Sequence, residues 1–378
     1  MKLFILVAKI LVIGAFPESL LIFRGDLIKS LVSAGHEVIA MAGFTDDATC
    51  SCIEGLGVTY RPYLVYRNKM NPFQDLLTFF SLRSACIAFK PDIVLAYTIK
   101  PVIWGGLALR SFRSSARFYA LITGLGLAFQ PGGVKQNLLT GLVTFLYRKA
   151  LVRAEKVIFQ NKDNKKAFID RKIVDFQQCL VVNGSGVNLS YFPVYRLPEG
   201  PMVFLSIARL LGDKGLREYA QAANLIKKIY PEVVFNLVGP SDPSPDGIPL
   251  SEVSRWQESG AVNYLGSSAD VRPFIQNCHV YVLASYHEGM PRTVLEAMAI
   301  GRPILTTDVP GCRETVISGE NGFLIPPHNI TALVDRMIWF IDNRKELMRM
   351  GSKSRQIAVD RFDVNKINSE MIRSIGLQ

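Results

Sequence analysis

The chain has 378 residues, of which 49% are hydrophobic and 20% charged, so it is long enough for two domains of ordinary size and too apolar to be disordered. Its net charge of +11 lies entirely in residues 1–190, which hold 23 Lys and Arg against 12 Asp and Glu, whereas the remainder holds 20 of each. The six cysteines form no CxxC pair and no cluster with the four histidines, which argues against a zinc site or a disulfide framework and favours a reducing compartment.

The first predicted element is a buried strand over residues 9–14. Residues 1–13 are apolar but interrupted by a lysine, fall short of the roughly 20 apolar residues of a spanning helix, and lack a small-residue cleavage site. We therefore expect a cytoplasmic protein rather than one with a signal peptide. A helix pattern over 20–34 and a strand over 37–42 complete a unit of a parallel sheet, which places the Gly14 turn at the ligand-binding edge.

Aromatic and basic residues alternate in the next stretch, before an apolar helix over 73–89. The alternating residues are Tyr60, Arg61, Tyr63, Tyr66, Arg67 and Lys69. A second helix with apolar and basic residues is predicted over 135–153. Such patterns are typical of contact with an anionic membrane. They fit a basic loop beside a core helix equally well, and a helix like the second more often packs one face on a core.

Two further strands, over 91–96 and 118–122, deliver the loops 97–101 and 123–126 to the same sheet edge. Another strand covers 156–160. The glycine-rich stretch 183–188 then has the conformational freedom of a hinge, so the sequence predicts a domain boundary near residue 186.

The second half repeats this pattern, beginning with a strand over 203–209 and a helix over 216–229. Arg209 and Lys214 occupy the intervening loop, where they can clamp a diphosphate from two sides. The further predicted strands cover 234–239, 261–265, 280–284, 303–306 and 322–326, and the helices cover 330–343, 344–360 and the C-terminal residues.

The most informative stretch follows the strand over 280–284. A helix is predicted to open at Pro291, because proline is tolerated in a helix's first turn. The amide groups at that end attract phosphate. Glu288 and Glu296, in the turn and in the helix, can then reach two different parts of one ligand, which indicates a sugar nucleotide.

The Glu-x7-Glu pattern with Gly289 and Pro291, together with Arg209 and Lys214-Gly, resembles the donor motifs of family-4 retaining glycosyltransferases. The resemblance extends from Lys9 onward and implies the α/β GT-B architecture, in which two Rossmann-like domains face each other across a donor/acceptor cleft. It implies an acceptor-side domain over 1–185, a donor-binding domain over 186–360, and a C-terminal helix, 361–378, that packs back on the first domain.

The resemblance also implies the reaction. The expected enzyme needs no cofactor and no metal, and no Asp-x-Asp metal motif is present. It would move a hexose or an N-acetylhexosamine, with N-acetylgalactosamine or galactose from a UDP-sugar as the first expectation, to a lipid-diphosphate-linked saccharide in bacterial polysaccharide or O-antigen biosynthesis. It would act as a peripheral protein on the inner face of the cytoplasmic membrane.

The resemblance assigns roles to individual residues. Arg209 and Lys214 would stabilise the leaving diphosphate, Glu288 would orient the donor sugar, and Glu296 would bind the ribose hydroxyls. The remaining donor-binding residues are expected to be Gly14, Gly239, Gly289, Met290, Pro291 and Thr293, and the acceptor-binding residues Thr98, Lys100, Thr123 and Gly124.

Two alternatives remain at this point. A sugar-nucleotide 2-epimerase shares the architecture but is not expected to carry Arg209, Lys214, Glu288 and Glu296 together. A basic nucleic-acid-binding protein would explain the charge of the first half but not the donor motifs, and no RNA-binding aromatic motif or zinc finger is present. We therefore expect no nucleic-acid partner.

Overall fold

The computed structural model describes residues 7–66, 71–126, 129 and 132–377. The chain forms two compact units. The first is Met1–Ser185 together with Asn365–Gln378, and the second is Gly186–Val364. The boundary between the units lies within the glycine-rich stretch. The C-terminal segment that belongs to the first unit begins at Asn365, four residues later than the predicted start at residue 361.

In the described part of the chain, the first unit contains a parallel sheet of seven strands in the order β3-β2-β1-β4-β5-β6-β7. The strands are β1 (Lys9–Ile13), β2 (Glu37–Ala42), β3 (Thr59–Pro62), β4 (Ile93–Tyr97), β5 (Arg117–Ile122), β6 (Ala154–Phe159) and β7 (Cys179–Val181). The helices are α1 (Pro17–Ile22), α2 (Gly25–Ser33), α3 (Asp47–Glu54), α4 (Pro72–Phe89), α5 (Ile99–Ser111), α6 (Val134–Leu151) and α7 (Lys162–Asp170). The strand order reverses between β1 and β4, which creates a crevice at the carboxyl edge of the sheet.

The second unit is a parallel sheet of six strands in the order β10-β9-β8-β11-β12-β13, with its reversal between β8 and β11. The strands are β8 (Val203–Ile207), β9 (Val234–Val238), β10 (Asn263–Tyr264), β11 (Val280–Leu283), β12 (Ile304–Thr307) and β13 (Gly322–Ile325). The helices that follow α7 are α8 (Leu216–Lys227), α9 (Leu250–Glu258), α10 (Arg272–Gln276), α11 (Arg292–Ile300), α12 (Ile330–Asp342), α13 (Leu347–Arg361) and α14 (Val364–Ser374), which carries the chain back to the first unit.

Helices cover both faces of the first sheet, which explains why its central strands are almost continuously apolar. Leu11 and Ile13 belong to the core that includes residues of α4, α5 and α6. Ile10 and Val12, one residue out of phase, belong to the core that includes residues of α1, α2 and α3 and Ile367 of α14. The alternation of side chains along a strand thus divides β1 between two cores.

Two predicted elements of the first unit were wrong in detail. The single helix over 20–34 is two helices, α1 and α2, and the chain turns between them at Arg24, which is buried with its guanidinium 5.2 Å from the centre of the Tyr97 ring. The predicted loop after β4 is instead the start of α5. Pro101 fits in its first turn because that turn does not use the missing N–H group.

The aromatic-basic stretch also differs from the membrane-contact interpretation. It begins as the edge strand β3, and Tyr60 and Tyr63 are buried. The Tyr63 hydroxyl donates to the Gly14 carbonyl at 2.8 Å. Both tyrosine side chains therefore pack inside the first unit. Of the other members, Arg61 and Tyr66 are exposed, and Arg67 and Lys69 lie outside the described residues.

Candidate functional site

Charged side chains gather at the carboxyl edge of the second sheet, where the strand order reverses. The segment after β8 carries Arg209 and Lys214, and the segment between β11 and α11 carries Glu288. Because β8 and β11 are neighbours and their connections lead away in opposite directions, these segments border one crevice.

Lys214 and Glu288 form the centre of this site. The Lys214 Nζ lies 2.9 Å from Glu288 Oε1 and 3.9 Å from Asp213 Oδ1, and Ser285 Oγ donates to the same Glu288 oxygen at 2.8 Å. The Lys214 and Glu288 side chains are only 14% and 18% exposed. Burial alone would lower the pKa of Lys214, but the two carboxylates outweigh burial and raise it, so the ammonium group stays charged.

Two glycines allow these segments to approach one another. Gly215 has a φ of +65°, and a Cβ there would lie 2.1 Å from the Ala284 carbonyl oxygen, so only glycine lets the start of α8 meet the end of β11. Gly311 has a φ of +84°, and a Cβ there would lie 2.6 Å from the Gly289 carbonyl oxygen. The segment after β12 thereby supports the turn that holds Glu288, a role that the sequence did not reveal.

Arg209 has a carboxylate partner of its own. Its Nη1 lies 2.5 Å from Asp242 Oδ2 in the segment after β9. Asp246, in the same segment, accepts a hydrogen bond from the Asp213 N–H at 2.8 Å and fixes the turn that presents Lys214. The sequence analysis did not predict either aspartate, because the only feature that marks them is their position after the strand β9 and Gly239-Pro240.

Helix α11 places the second glutamate of the motif. It begins at Arg292, with Pro291 at the N-cap and no side-chain capping bond there. Glu296 is 6% exposed, and its Oε1 accepts from Arg292 Nε at 2.8 Å. Burial raises the pKa of Glu296 even though Arg292 opposes the shift. Arg292 is a further residue of the site that the motif spacing did not identify.

The other predicted donor-binding residues of the second unit have clear packing roles. The buried Tyr281 hydroxyl donates a hydrogen bond to Thr293 Oγ1 at 2.6 Å, and Met290 packs on the core. Gly239 has no room for a side chain, since a Cβ would lie 1.8 Å from the main chain after β8. Gly289 and Pro291 form the turn between Glu288 and α11. Their contact with a donor stays a prediction.

In the first unit, Thr98 has an unusual conformation directly after β4. Its φ of 68° and ψ of 165° lie in a region that is essentially restricted to glycine. Its Oγ1 is shielded from solvent and has no hydrogen-bond partner within the described residues. Backbone strain and an unsatisfied hydroxyl at the point of strand reversal are both typical of a ligand-binding position.

The remaining predicted residues of the first unit differ in accessibility. Lys100 Nζ lies 2.7 Å from Asp75 Oδ1, and the pair is largely buried, so an acceptor oxygen must compete with Asp75. Thr123 and Gly124 follow β5 and are partly exposed, with open space beside Gly124. Gly14 is buried, and its N–H and C=O groups are both hydrogen bonded within the unit. Both groups that could make the predicted contact with the donor substrate are therefore already engaged.

The site of the second unit combines cationic and anionic recognition groups. A charged amine, a guanidinium and a helix N-terminus attract an anionic ligand, whereas buried carboxylates accept hydrogen bonds from hydroxyl groups. A phosphorylated sugar provides both. Across 7–66, 71–126, 129 and 132–377, no three His, Cys, Asp or Glu side chains are grouped as metal ligands.

Comparison with known proteins identifies the family. Residues 189–357 match the model described as "Glycosyl transferases group 1", and residues 25–190 match the model described as "Glycosyltransferase Family 4". The chain belongs to glycosyltransferase family 4. The two matches meet at residues 189–190, close to the junction between the units, so each half of this glycosyltransferase corresponds to one of the two family models.

Individual relatives agree with this assignment. The glycosyltransferase is 29% identical to the Campylobacter jejuni N,N'-diacetylbacillosaminyl-diphospho-undecaprenol alpha-1,3-N-acetylgalactosaminyltransferase, with 93% of this chain and 94% of that protein covered. It is 25% identical to an Escherichia coli UDP-Gal:alpha-D-GlcNAc-diphosphoundecaprenol alpha-1,3-galactosyltransferase, over 78% of this chain and 77% of that protein. Anabaena HepE, solved with UDP and glucose, superposes with a TM-score of 0.79 at 19% identity, covering 98% of this chain and 100% of that chain. The predicted GT-B fold is confirmed.

Proposed function

We propose that this protein is a retaining glycosyltransferase that moves N-acetylgalactosamine or galactose from a UDP-sugar to a lipid-diphosphate-linked saccharide. The observation that carries the proposal is the contact between charged Lys214 and Glu288 beside the start of α11, with buried Glu296 in the same helix. The names of the Campylobacter jejuni and Escherichia coli relatives support the donor and acceptor classes.

The proposed chemistry needs charge stabilisation more than a general base. The bond from the anomeric carbon to the phosphate oxygen breaks, and a bond from that carbon to the acceptor oxygen forms on the same face of the sugar. The departing phosphate oxygen takes the acceptor proton. Arg209, Lys214 and the first amides of α11 stabilise the negative charge that develops on this phosphate, so the reaction requires no metal ion.

The two glutamates have separate roles in this proposal. Glu288 shares Lys214 with the phosphate, orients donor hydroxyl groups and faces the positive anomeric centre. Glu296 accepts hydrogen bonds from the ribose hydroxyls, and Arg292 holds its carboxylate in place. Together the two glutamates would hold the donor in the orientation that transfer requires, and such positioning lowers the barrier of the reaction.

The test is a screen of UDP-sugars against lipid-diphosphate saccharides, with the anomeric configuration of the product read by NMR. An α-linked product from an α-linked donor is expected, and its yield should be unchanged by EDTA. An inverted product would contradict the retaining mechanism. Release of a free 2-epimer in the absence of acceptor would instead favour the epimerase alternative.

The surface of the first unit supports a lipid-linked acceptor. Helices α4 and α6 both pack on α5 at one face of the sheet, and each leaves large apolar side chains in solvent. These are Phe73, Leu76, Leu77 and Phe80 of α4, and Val134, Leu138, Leu142 and Phe145 of α6. Phe73 is 81% exposed and Leu138 is 70% exposed, whereas other side chains of both helices pack on the core, as the alternative interpretation also predicted.

This surface supports the proposal that the protein binds peripherally to an anionic membrane, and we place it on the cytoplasmic face as part of the same proposal. Apolar residues enter the interface, and basic residues such as Lys135 and Lys149 add electrostatic attraction, about 1 kcal/mol each near an anionic surface. The net positive charge of residues 1–190 acts in the same direction. Among the described residues, no helix has the length and apolar composition needed to span a membrane.

A further inference from the structure

The loop that follows β9, residues 239–249, is tied by main-chain hydrogen bonds to the segment that carries Arg209. The Leu210 N–H donates to the Pro240 carbonyl at 2.9 Å, and the Leu210 carbonyl accepts from the Ile248 N–H at 2.9 Å. Both main-chain polar groups of Leu210 are therefore engaged, one by each end of the loop. These bonds fix the spacing between the main chain at Arg209 and the loop.

Asp242 is held in place by this loop. Its side chain is only 8% exposed, and its Oδ1 accepts the Ser244 N–H at 2.9 Å. The neighbouring Pro243 and Pro245 restrict the main chain further, because a proline ring fixes φ. Burial would raise the pKa of Asp242, but the hydrogen bonds from Ser244 and the charge of Arg209 outweigh burial and lower it. The loop therefore presents an ionised carboxylate at a fixed position.

The Arg209 side chain is accessible and is anchored by this carboxylate. It is 46% exposed, and its Nη1 lies 2.5 Å from Asp242 Oδ2. Within the described residues, Asp242 is the only hydrogen-bond partner of the guanidinium. A guanidinium carries five N–H groups in a planar fork, so four remain for a ligand. Without an anchor, an accessible arginine would move among many rotamers, and ordering it around a ligand would cost entropy.

The sign of the charge on Asp242 separates orientation from affinity. A carboxylate beside a phosphate site opposes the binding of an anionic ligand, so this side chain does not increase the attraction for a nucleotide. Charge that develops on a departing phosphate is stabilised best by donors that are already aimed at it, because such donors need no reorganisation during the reaction. A fixed carboxylate that directs a guanidinium meets that requirement.

We infer that Asp242 is a positioning residue that holds Arg209 in the orientation in which its remaining N–H groups meet the leaving diphosphate. Asp242 does not contact the donor and acts through Arg209. It contributes to turnover and not to the affinity for the nucleotide. The inference rests on the proposed glycosyl transfer from a UDP-sugar.

Asp242→Asn provides the first test, because its amide oxygen can still accept the Ser244 N–H while an N–H group replaces the oxygen that faces Arg209. At saturating donor and acceptor, kcat should fall tenfold or more. The dissociation constant for UDP, measured by calorimetry, should stay the same or decrease, since one negative charge is lost. A normal kcat, or UDP binding weakened by as much as kcat, would contradict the inference.

Glu346→Gln is the matched control for this variant. Glu346 pairs with Arg349 at 2.7 Å in the same unit, but the two side chains are 32% and 54% exposed and no ligand role is assigned to either. Its kcat and its dissociation constant for UDP should equal those of the wild type. Thermal midpoints equal to that of the wild type verify that both variants fold.

A double-mutant cycle tests whether Asp242 acts through Arg209. In the Arg209→Ala background, Asp242→Asn should change kcat by less than twofold, because the group that it positions is already absent. A tenfold loss in that background would mean that Asp242 supports the loop itself, and would overturn the inference.

NMR of the arginine side chains gives a test that needs no transfer. The Nε resonance of Arg209, assigned by its absence in Arg209→Ala, should shift when UDP is added. In the wild type it should be as rigid as that of the fully buried Arg302, and in Asp242→Asn it should become mobile on the nanosecond timescale. A mobile Arg209 Nε in the wild type would overturn the inference.

The results separate this inference from the proposed function. A normal kcat in Asp242→Asn overturns the positioning role and leaves glycosyl transfer intact. Absence of transfer from any UDP-sugar contradicts the proposed function. If the Arg209 resonance is then still rigid only in the presence of Asp242 and still shifts with UDP, the positioning of Arg209 at a nucleotide site stands without it.

Discussion

Lys214 holds the positive charge on which the proposed reaction depends. Lys214→Ala should lower turnover by about 10²–10³, the usual effect of removing one electrostatic contact to a developing charge. The measurement is kcat at saturating donor and acceptor. Lys214→Met, which keeps most of the side-chain volume, should show the same loss and so separate charge from packing.

Lys353→Ala is the matched control. Its Nζ lies 2.8 Å from Glu320, but the two side chains are 42% and 48% exposed, and such surface pairs contribute at most about 1 kcal/mol. Turnover should be normal. A Lys214→Ala variant that also retains normal turnover would remove the lysine from the mechanism.

Glu288 and Glu296 should differ in what their loss affects. Glu288→Gln should reduce kcat more than the affinity for UDP, because its contacts concern the sugar. Glu296→Gln should weaken UDP binding by about 1.5–3 kcal/mol, as for a hydrogen bond to a charged group. Calorimetry with UDP measures both variants. Equal losses of UDP affinity would refute this division of roles.

At the scale of elements, the contact between the start of α8 and the end of β11 depends on Gly215. Gly215→Ala should be strongly destabilising and inactive, because the new Cβ would lie 2.1 Å from a main-chain oxygen as well as requiring a φ of +65°. Gly260→Ala is a matched control, since its φ is +71° but nothing lies within 4 Å of a Cβ there. It should lose only about 1 kcal/mol of unfolding free energy. Denaturant melts compare the two, and equal losses would show that the close approach is not limiting.

The apolar surfaces of α4 and α6 make a second prediction at this scale. Replacing Phe73, Leu76, Leu138 and Phe145 by Ser should release the protein from anionic vesicles in sedimentation assays. Transfer to a lipid-linked acceptor should slow, and transfer to a short soluble acceptor should be spared. Binding should weaken as salt rises, because charges are screened beyond about 8 Å at physiological ionic strength.

Met348→Ser is the control for this surface, since Met348 is 74% exposed but belongs to α13 of the second unit. It should sediment like the wild type. Equal binding to neutral and anionic vesicles would contradict the electrostatic part of the proposal, and normal sedimentation of the fourfold variant would contradict the docking surface.

For the whole molecule, buried histidines predict loss of stability in mild acid. Burial and the nearby Arg344 lower the pKa of His279 to about 4, and its Nδ1 accepts the Val203 N–H at 3.1 Å. Because the folded-state pKa is depressed below the ordinary value of 6.5, the stabilisation is present above pH 6.5 and is lost as the pH falls toward 4. Burial lowers the pKa of His36 and His287 in the same direction.

Unfolding free energy should therefore decrease as the pH falls from 6.5 to 4. The slope of unfolding free energy against pH reports the number of protons taken up on unfolding, and His279→Gln should reduce that number by up to one. His328→Gln is the control, because the His328 side chain is 63% exposed and should leave the slope unchanged. Denaturant melts at several pH values measure both variants. An identical slope in His279→Gln and the wild type would exclude His279 as the titrating group.

Much of this molecule could be predicted from its sequence. Apolar runs marked most strands, and several of these runs end at glycine or proline, as at Gly14, Gly239 and Pro326. The motif spacing led to the family that the comparisons confirm.

The helix α5 was missed because Thr98, Lys100 and Pro101 interrupt the apolar sequence after β4 as a loop would, and residues 102–109 are too uniformly apolar to show a helical period. The partners Asp75 of Lys100 and Asp242 of Arg209 were also missed. Such pairs join residues far apart in the chain, and only packing brings them together.

The position of α14 has a consequence for synthesis on the ribosome. This helix completes one core of the first unit, yet it is translated after the entire second unit. At about 5–20 residues per second, the intervening 186–364 segment takes roughly 10 to 40 s to synthesise. During that interval Ile10, Val12 and their neighbours lack Ile367, Met371 and Ile375. Until α14 emerges, the nascent first unit therefore exposes apolar core residues to which chaperones can bind.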